Sequence, residues 1–133
     1  MIKEMFGGVI PALERAIEIR SLRHDVILSN IANEETPGFR ARDIDFRREM
    51  EKAASGAIEP SATNPGHLKT SYPSGMNAEV VERKPGGAAL DGNSVSLEKE
   101  MVSLSENTVM HNAAVTILTR EFRDLRDAIR EGR

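Results

Sequence analysis

The sequence predicts a mainly α protein in which two long terminal helices pack as an antiparallel, coiled-coil-like hairpin, joined by an irregular middle segment with at most a short helix or hairpin. Three observations predict it. Apolar residues step by four and three through one long stretch near each end, the spacing of a helix that buries a narrow seam against another helix. Between residues 57 and 92, Pro60, Pro65, Pro73 and Pro85 recur among Gly, Ser, Thr and Asn and cut any regular element short. With 133 residues, 39% of them apolar, and only five aromatics, the chain is one domain at most with a small core. The expected organisation is an N-terminal helix in 1–33, a turn, short helix and irregular stretch in 34–92, and a C-terminal helix in 93–133, all one structural unit.

In the first helix the seam runs through Phe6, Ile10, Leu13, Ile17, Arg20, His24, Ile27 and Ile31. In the last it runs through Leu97, Met101, Leu104, Thr108, His111, Val115, Leu118, Phe122, Leu125 and Ile129. Ser96 is a suitable N-cap, and Glu98 and Glu100 complement the positive helix end. A helix from Leu97 to about Arg130 spans roughly 50 Å. The polar interruptions fall near the middle of both seams. Antiparallel pairing sets Ile31 opposite Met101, His24 opposite Thr108, Arg20 near His111 and Phe6 opposite Leu125, so that polar meets polar and marks the register.

Each helix carries a second apolar stripe: Ile19, Leu22 and Val26 on the first, Val102, Val109 and Ala113 on the last. A two-helix hairpin buries one seam per helix. Ile19, Leu22, Val26, Val102 and Val109 are therefore expected to be buried against other subunits or other proteins, unless the middle segment covers part of them.

The first helix is expected to stop at Asn30-Ile31-Ala32-Asn33-Glu34-Glu35-Thr36-Pro37-Gly38-Phe39. Asn33 can take the left-handed conformation, Thr36 before proline is driven extended, and Pro37-Gly38 suits the centre of a type II turn. Phe39 then anchors the turn on an apolar surface. Beyond it, Asp45 to about Ala54 reads as a short helix with Phe46 and Met50 on one side, ended by Gly56, and Val80-Val81 is the one strand-like nucleus.

Chemistry is sparse. Zero cysteines exclude thiol catalysis and thiolate metal sites, and His24, His67 and His111 show no ligand spacing. Asp43 and Asp45 among Arg40, Arg42, Arg47 and Arg48 form the one dense charged cluster, read as salt-bridged surface charge, with no phosphate loop or nucleophile motif beside it. No catalytic residue, cofactor or metal is expected. A net charge of −3 with mixed signs argues against nucleic acid, and no apolar run approaches the roughly 20 residues of a membrane span. Glu4, Glu14 and Glu18 set the N-terminus apart from a secretory leader.

The Asn30-to-Phe39 string, followed by Ala41-Arg42-Asp43-Ile44-Asp45-Phe46, resembles the N-terminal signature of flagellar rod and hook proteins. Ala41 to Phe46 and Asp91-Gly92-Asn93-Ser94-Val95-Ser96-Leu97-Glu98-Lys99-Glu100-Met101 are similar to the B-type proximal rod branch, and Thr63-Asn64-Pro65-Gly66-His67-Leu68 more loosely so. The resemblance covers roughly residues 5–50 and 90–130. It implies a structural, self-assembling subunit of the basal-body rod that transmits torque. Asn30, Asn33, Thr36, Pro37, Gly38 and Phe39 would form its turn. The implied partners are other rod proteins, ring or adaptor components at the rod base and the flagellar type III export apparatus, and the implied location is the rod crossing the periplasm, reached without a cleaved signal peptide. The alternatives are another short rod protein of C type, or a soluble helical-hairpin adaptor or export-chaperone-like module.

Overall fold

The computed structural model describes residues 8–55, 78–84 and 90–132. Phe6, Gly56, Pro60, His67, Pro73, Pro85 and the Thr63-to-Leu68 string lie outside the described residues. The elements are α1 (Val9–Ala32), β1 (Arg42–Ile44), α2 (Phe46–Ala54), β2 (Val80–Glu82) and α3 (Leu97–Glu131). Pro11 stands in the first turn of α1, where its missing N–H is one that no helical carbonyl would have accepted. Asp45 caps α2 by accepting a hydrogen bond from the Arg48 N–H at 3.1 Å. Ser96 occupies the N-cap position of α3 with extended backbone, but its side chain makes no capping bond, contrary to expectation.

The terminal helices pack side by side and antiparallel, since Arg20 meets Asn107 while Asn30 meets Glu100. On its other side α1 carries a two-stranded ribbon in which β1 pairs antiparallel with β2, Asp43 opposite Val81. Ile19, Leu22 and Val26 bury themselves there with Ile44, and Phe46, Met50, Ala78 and Val80 close over them. This corrects the expectation that Ile19, Leu22 and Val26 face other molecules. Strand pairing lets Ile44 and Val80 reach the stripe together, and the Arg20 guanidinium lies 4.0 Å over the Phe46 ring at its edge.

The seam of α3 also differs from the expected one. Leu104, His111, Leu118 and Leu125 turn inward, but the alternating places are taken by Glu100, Asn107, Ala114 and Glu121. Leu97, Met101, Thr108, Val115, Phe122 and Ile129 are exposed instead. Polar bonding accounts for the rotation. Asn107 donates to the Arg20 carbonyl at 2.8 Å and accepts from the Arg20 guanidinium at 3.4 Å. The polar levels of the two helices do meet, because Arg20, Ser21, His24, Asn107, Thr108 and His111 line one cleft.

At the other end of the hairpin the Glu100 carboxylate is 0% exposed, accepting from Asn30 Nδ2 at 3.0 Å and from the Arg83 guanidinium. Arg83 donates also to Asp43 Oδ2 at 3.1 Å, and Arg23 grips both Asp43 oxygens at 2.8 and 3.0 Å. Asn30 completes the junction by donating to the Arg42 carbonyl at 2.7 Å and accepting the Arg42 N–H at 3.0 Å, as a neighbouring strand would. A continuous chain of charge thus ties α1, the ribbon and α3. Asp43 belongs to it and is not the surface charge expected. Burial alone would raise its pKa, but the Arg23 hydrogen bonds and charge, the Ile44 N–H and the Arg83 charge outweigh burial and hold the carboxyl below its usual range.

Two outcomes follow. Leu22→Glu places a charge in the Ile19–Val26–Ile44 core and should cost more than about 3 kcal/mol, seen as loss of helical circular dichroism or a large fall in the urea midpoint. An unchanged midpoint would remove Leu22 from the core. Because the native pKa of Asp43 is depressed, its contribution to stability is complete above the unfolded value of about 4 and is lost as pH falls below that toward the native value. Asp43→Asn should therefore be less stable than the parent at neutral pH and lose less stability on acidification, a difference read from urea midpoints across that window.

Candidate functional site

The segment after α1 is built as one tight corner. Asn33 ends the helix with φ −107°, so it does not adopt the left-handed conformation expected of it. Its side chain ends the helix instead: Nδ2 donates to the Ser29 carbonyl at 2.8 Å and Oδ1 accepts from the Thr36 hydroxyl at 3.2 Å. Pro37 and Gly38 are the central residues of a turn closed by the Phe39 N–H donating to the Thr36 carbonyl at 3.2 Å. Gly38 has φ +72°, the conformation a type II turn requires at that place and one that side chains with a Cβ rarely adopt. Phe39 is half-buried, with the Arg42 guanidinium 5.6 Å from its ring centroid.

A second loop holds this corner from the far side of the sequence. The Nδ2 of buried Asn93 faces three carbonyls of the turn, those of Asn33 at 3.0 Å, Glu34 at 2.6 Å and Thr36 at 2.8 Å. Its Oδ1 accepts the Val95 N–H at 2.7 Å, and its own N–H donates to Asp91 Oδ1 at 3.1 Å, which fixes the loop that presents it. The Gly38 N–H donates to the Asp91 carbonyl, the Ser94 N–H to the Phe39 carbonyl and the Ala41 N–H to Ser94 Oγ. Gly92, with φ +73°, lies so close that a Cβ there would stand 3.7 Å from the Gly38 Cα. The Asp91-to-Ser94 string and the Asn30-to-Phe39 string are therefore two halves of one structure.

Of the residues singled out in the sequence, Asn30 is fully buried in the charged junction, while Thr36, Pro37 and Gly38 sit at the surface of the corner. Val102 and Val109 are 59% and 64% exposed on the outer side of α3, with exposed Ala113 on the same side. The structure brings Ile19, Leu22 and Val26 together in the core, apart from that outer face. Sequence reasoning missed Arg23, Arg83, Asn93 and Asn107. The signal for Asn93 was present, since Asp91-Gly92-Asn93-Ser94 is a pattern of side chains that bond their own backbone. Nothing in periodicity marks Arg83 as the counter-charge of Glu100, seventeen residues on.

The arrangement offers packing surface and polar fastening. Among the described residues no three or more His, Cys, Asp or Glu side chains are placed to hold a metal ion, and no described helix is long and apolar enough to cross a membrane.

No protein-family model matches the chain. Curated proteins do, among them several named flagellar basal body rod protein FlgB. The one from Yersinia enterocolitica is 29% identical over 97% of this chain and 98% of its own length. That of Escherichia coli K12 is 28% identical over 90% and 91%. That of Cereibacter sphaeroides is 34% identical over 87% of this chain and 89% of its own. The match runs through the corner, the ribbon and both terminal helices, and at that identity and coverage the chain belongs to the FlgB family of flagellar basal body rod proteins.

Proposed function

We propose that this chain is a structural subunit of the proximal flagellar rod and works by assembling with other rod proteins into the shaft that transmits torque, not by catalysis. Family membership is the observation that carries the reading, and the shape of the hairpin agrees with it. The 35 residues of α3 make a rod on the order of 50 Å long whose outer side keeps Val102 and Val109 in water. An apolar side on a long helix is a surface for neighbouring subunits, and head-to-tail contacts between different faces propagate a helical tube where a two-fold contact would close a dimer. In this reading the paired helices line the inner tube, and the corner at Thr36-Pro37-Gly38 and the middle segment touch subunits alongside. Other rod proteins, ring or adaptor components and the export apparatus are the partners, and the subunit takes its place in the rod where that crosses the periplasm. A C-type rod protein and a hairpin adaptor of fixed stoichiometry are not favoured.

The test is deletion of the gene, with swimming scored beside electron microscopy of purified basal bodies and complementation. Rings without rod or hook, restored by the wild-type gene, are expected; intact rods would overturn the proposal. Val109→Glu should leave the urea midpoint of the isolated chain within about 0.5 kcal/mol of the parent, as exposed substitutions usually do, yet fail to complement. Asn93→Ala leaves the Asn33, Glu34 and Thr36 carbonyls without their donor and should cost about 1–3 kcal/mol, with faster amide exchange at Gly38 and Phe39 as its local signature. Unaltered exchange there would mean the loop does not hold the corner.

A further inference from the structure

The α3 helix carries two seams in one sequence. The seam in use runs Glu100, Leu104, Asn107, His111, Ala114, Leu118, Glu121, Leu125. The other runs Met101, Leu104, Thr108, His111, Val115, Leu118, Phe122, Leu125. They share Leu104, His111, Leu118 and Leu125 and differ at the four alternating places, where the residue in use is followed immediately by Met101, Thr108, Val115 or Phe122. Three of these four replace a charged or small residue with a larger apolar one. Met101 is 52% and Phe122 49% exposed, whereas Glu100 is fully buried. Exchanging one seam for the other needs a turn of α3 by roughly 50° about its axis, half the angle between successive residues.

What keeps the polar seam inward is a set of bonds to backbone and side-chain groups outside α3. Asn107 is held by Arg20 of α1, and Glu100 by Asn30 of α1 and by Arg83. Arg83 supplies the only cation bonded to Glu100 among the described residues, and it follows β2, a three-residue strand attached by its pairing with β1 and by its neighbours' side chains. Its N–H also donates to the Ala41 carbonyl at 2.8 Å. A buried carboxylate deprived of its cation is strongly unfavourable, and registry and switching are the best-attested uses of buried polar groups in helical seams. Packed helices change state by such small discrete shifts between alternative fits.

We infer that α3 is a two-position helix: Arg83 is the latch that holds the Glu100 seam against α1, and removing the latch turns the Met101–Val115–Phe122 seam inward in its place. The occupant of the exposed stripe in the second position is α1 of the same chain. The inference concerns the isolated chain and does not rest on the rod reading.

The chain has no cysteine, so single thiols report each face of α3. Ala114→Cys and Val115→Cys stand one residue apart, Ala114 buried and Val115 exposed in the latched position. In the otherwise wild-type chain a small maleimide should modify the thiol at 115 at least about tenfold faster than that at 114, reactivity following exposure. Combined with Arg83→Gln, the ratio should invert while helical circular dichroism is kept. A rise at both positions would mean that Arg83 only holds the hairpin closed, and unchanged rates would mean that it does not govern α3; either overturns the inference. Adding Glu100→Leu to Arg83→Gln removes the buried charge from the first seam and should restore the wild-type ratio. Inversion persisting in that combination would exclude the buried charge as the cause and overturn the latch.

Discussion

One buried carboxylate decides how the pieces of this protein sit together. Glu100 is shut off from bulk solvent, so the fold must bring it hydrogen-bond donors, and it does so from two places distant in sequence, Asn30 and Arg83. Asn30 must in turn stand at the end of α1 beside the Arg42 backbone, and Arg83 must follow a strand that lies against β1. The rotation of α3, the path of the ribbon and the docking of α1 are thus consequences of one requirement. Removing a single partner from such an arrangement is far more damaging than replacing the whole set with apolar residues, because the loss leaves a charge behind.

The helical frame was legible in the sequence because it rests on periodicity and termination, which are local. α3 runs from Leu97 to Glu131 and α2 from Phe46 to Ala54, close to where apolar spacing places them. The face that α3 buries was not legible, nor was the cover over the second stripe of α1, although α1 does bury its predicted seam and α2 its Phe46–Met50 side. Counting apolar residues selects Met101, Val115 and Phe122 for the α3 seam and has no means of weighing an ion pair to a residue in the middle segment. The same blindness sent Ile19, Leu22 and Val26 outward, since β1 is too short and too charged to announce itself as their cover.

The candidate site shows the reverse pattern. Part of the corner chemistry was readable, since Gly38 takes the positive φ that Pro37-Gly38 calls for, while Asn33 ends the helix through its side chain and not through a left-handed backbone. What could not be read was that Asn93 holds the corner, because a contact across 60 residues leaves no trace in spacing. The two strings that resemble the rod family at opposite ends of the chain are fastened to each other. A family likeness carried by separate segments here reflects one three-dimensional joint.

The pairing of Lys52 with Glu79 at 3.0 Å brings together the two margins of the stretch that separates α2 from β2. Glu79 is also gripped by Arg48 at 3.1 Å, and its N–H donates to Glu49 at 3.3 Å, so the exit and re-entry points of the chain are fastened side by side. The cost of closing such an excursion grows only with the logarithm of its length, about 0.6 kcal/mol for each doubling. Its length and composition are therefore nearly free variables for evolution. The same hairpin, ribbon and corner can accept insertions of different length between Lys52 and Glu79 without renegotiating the core.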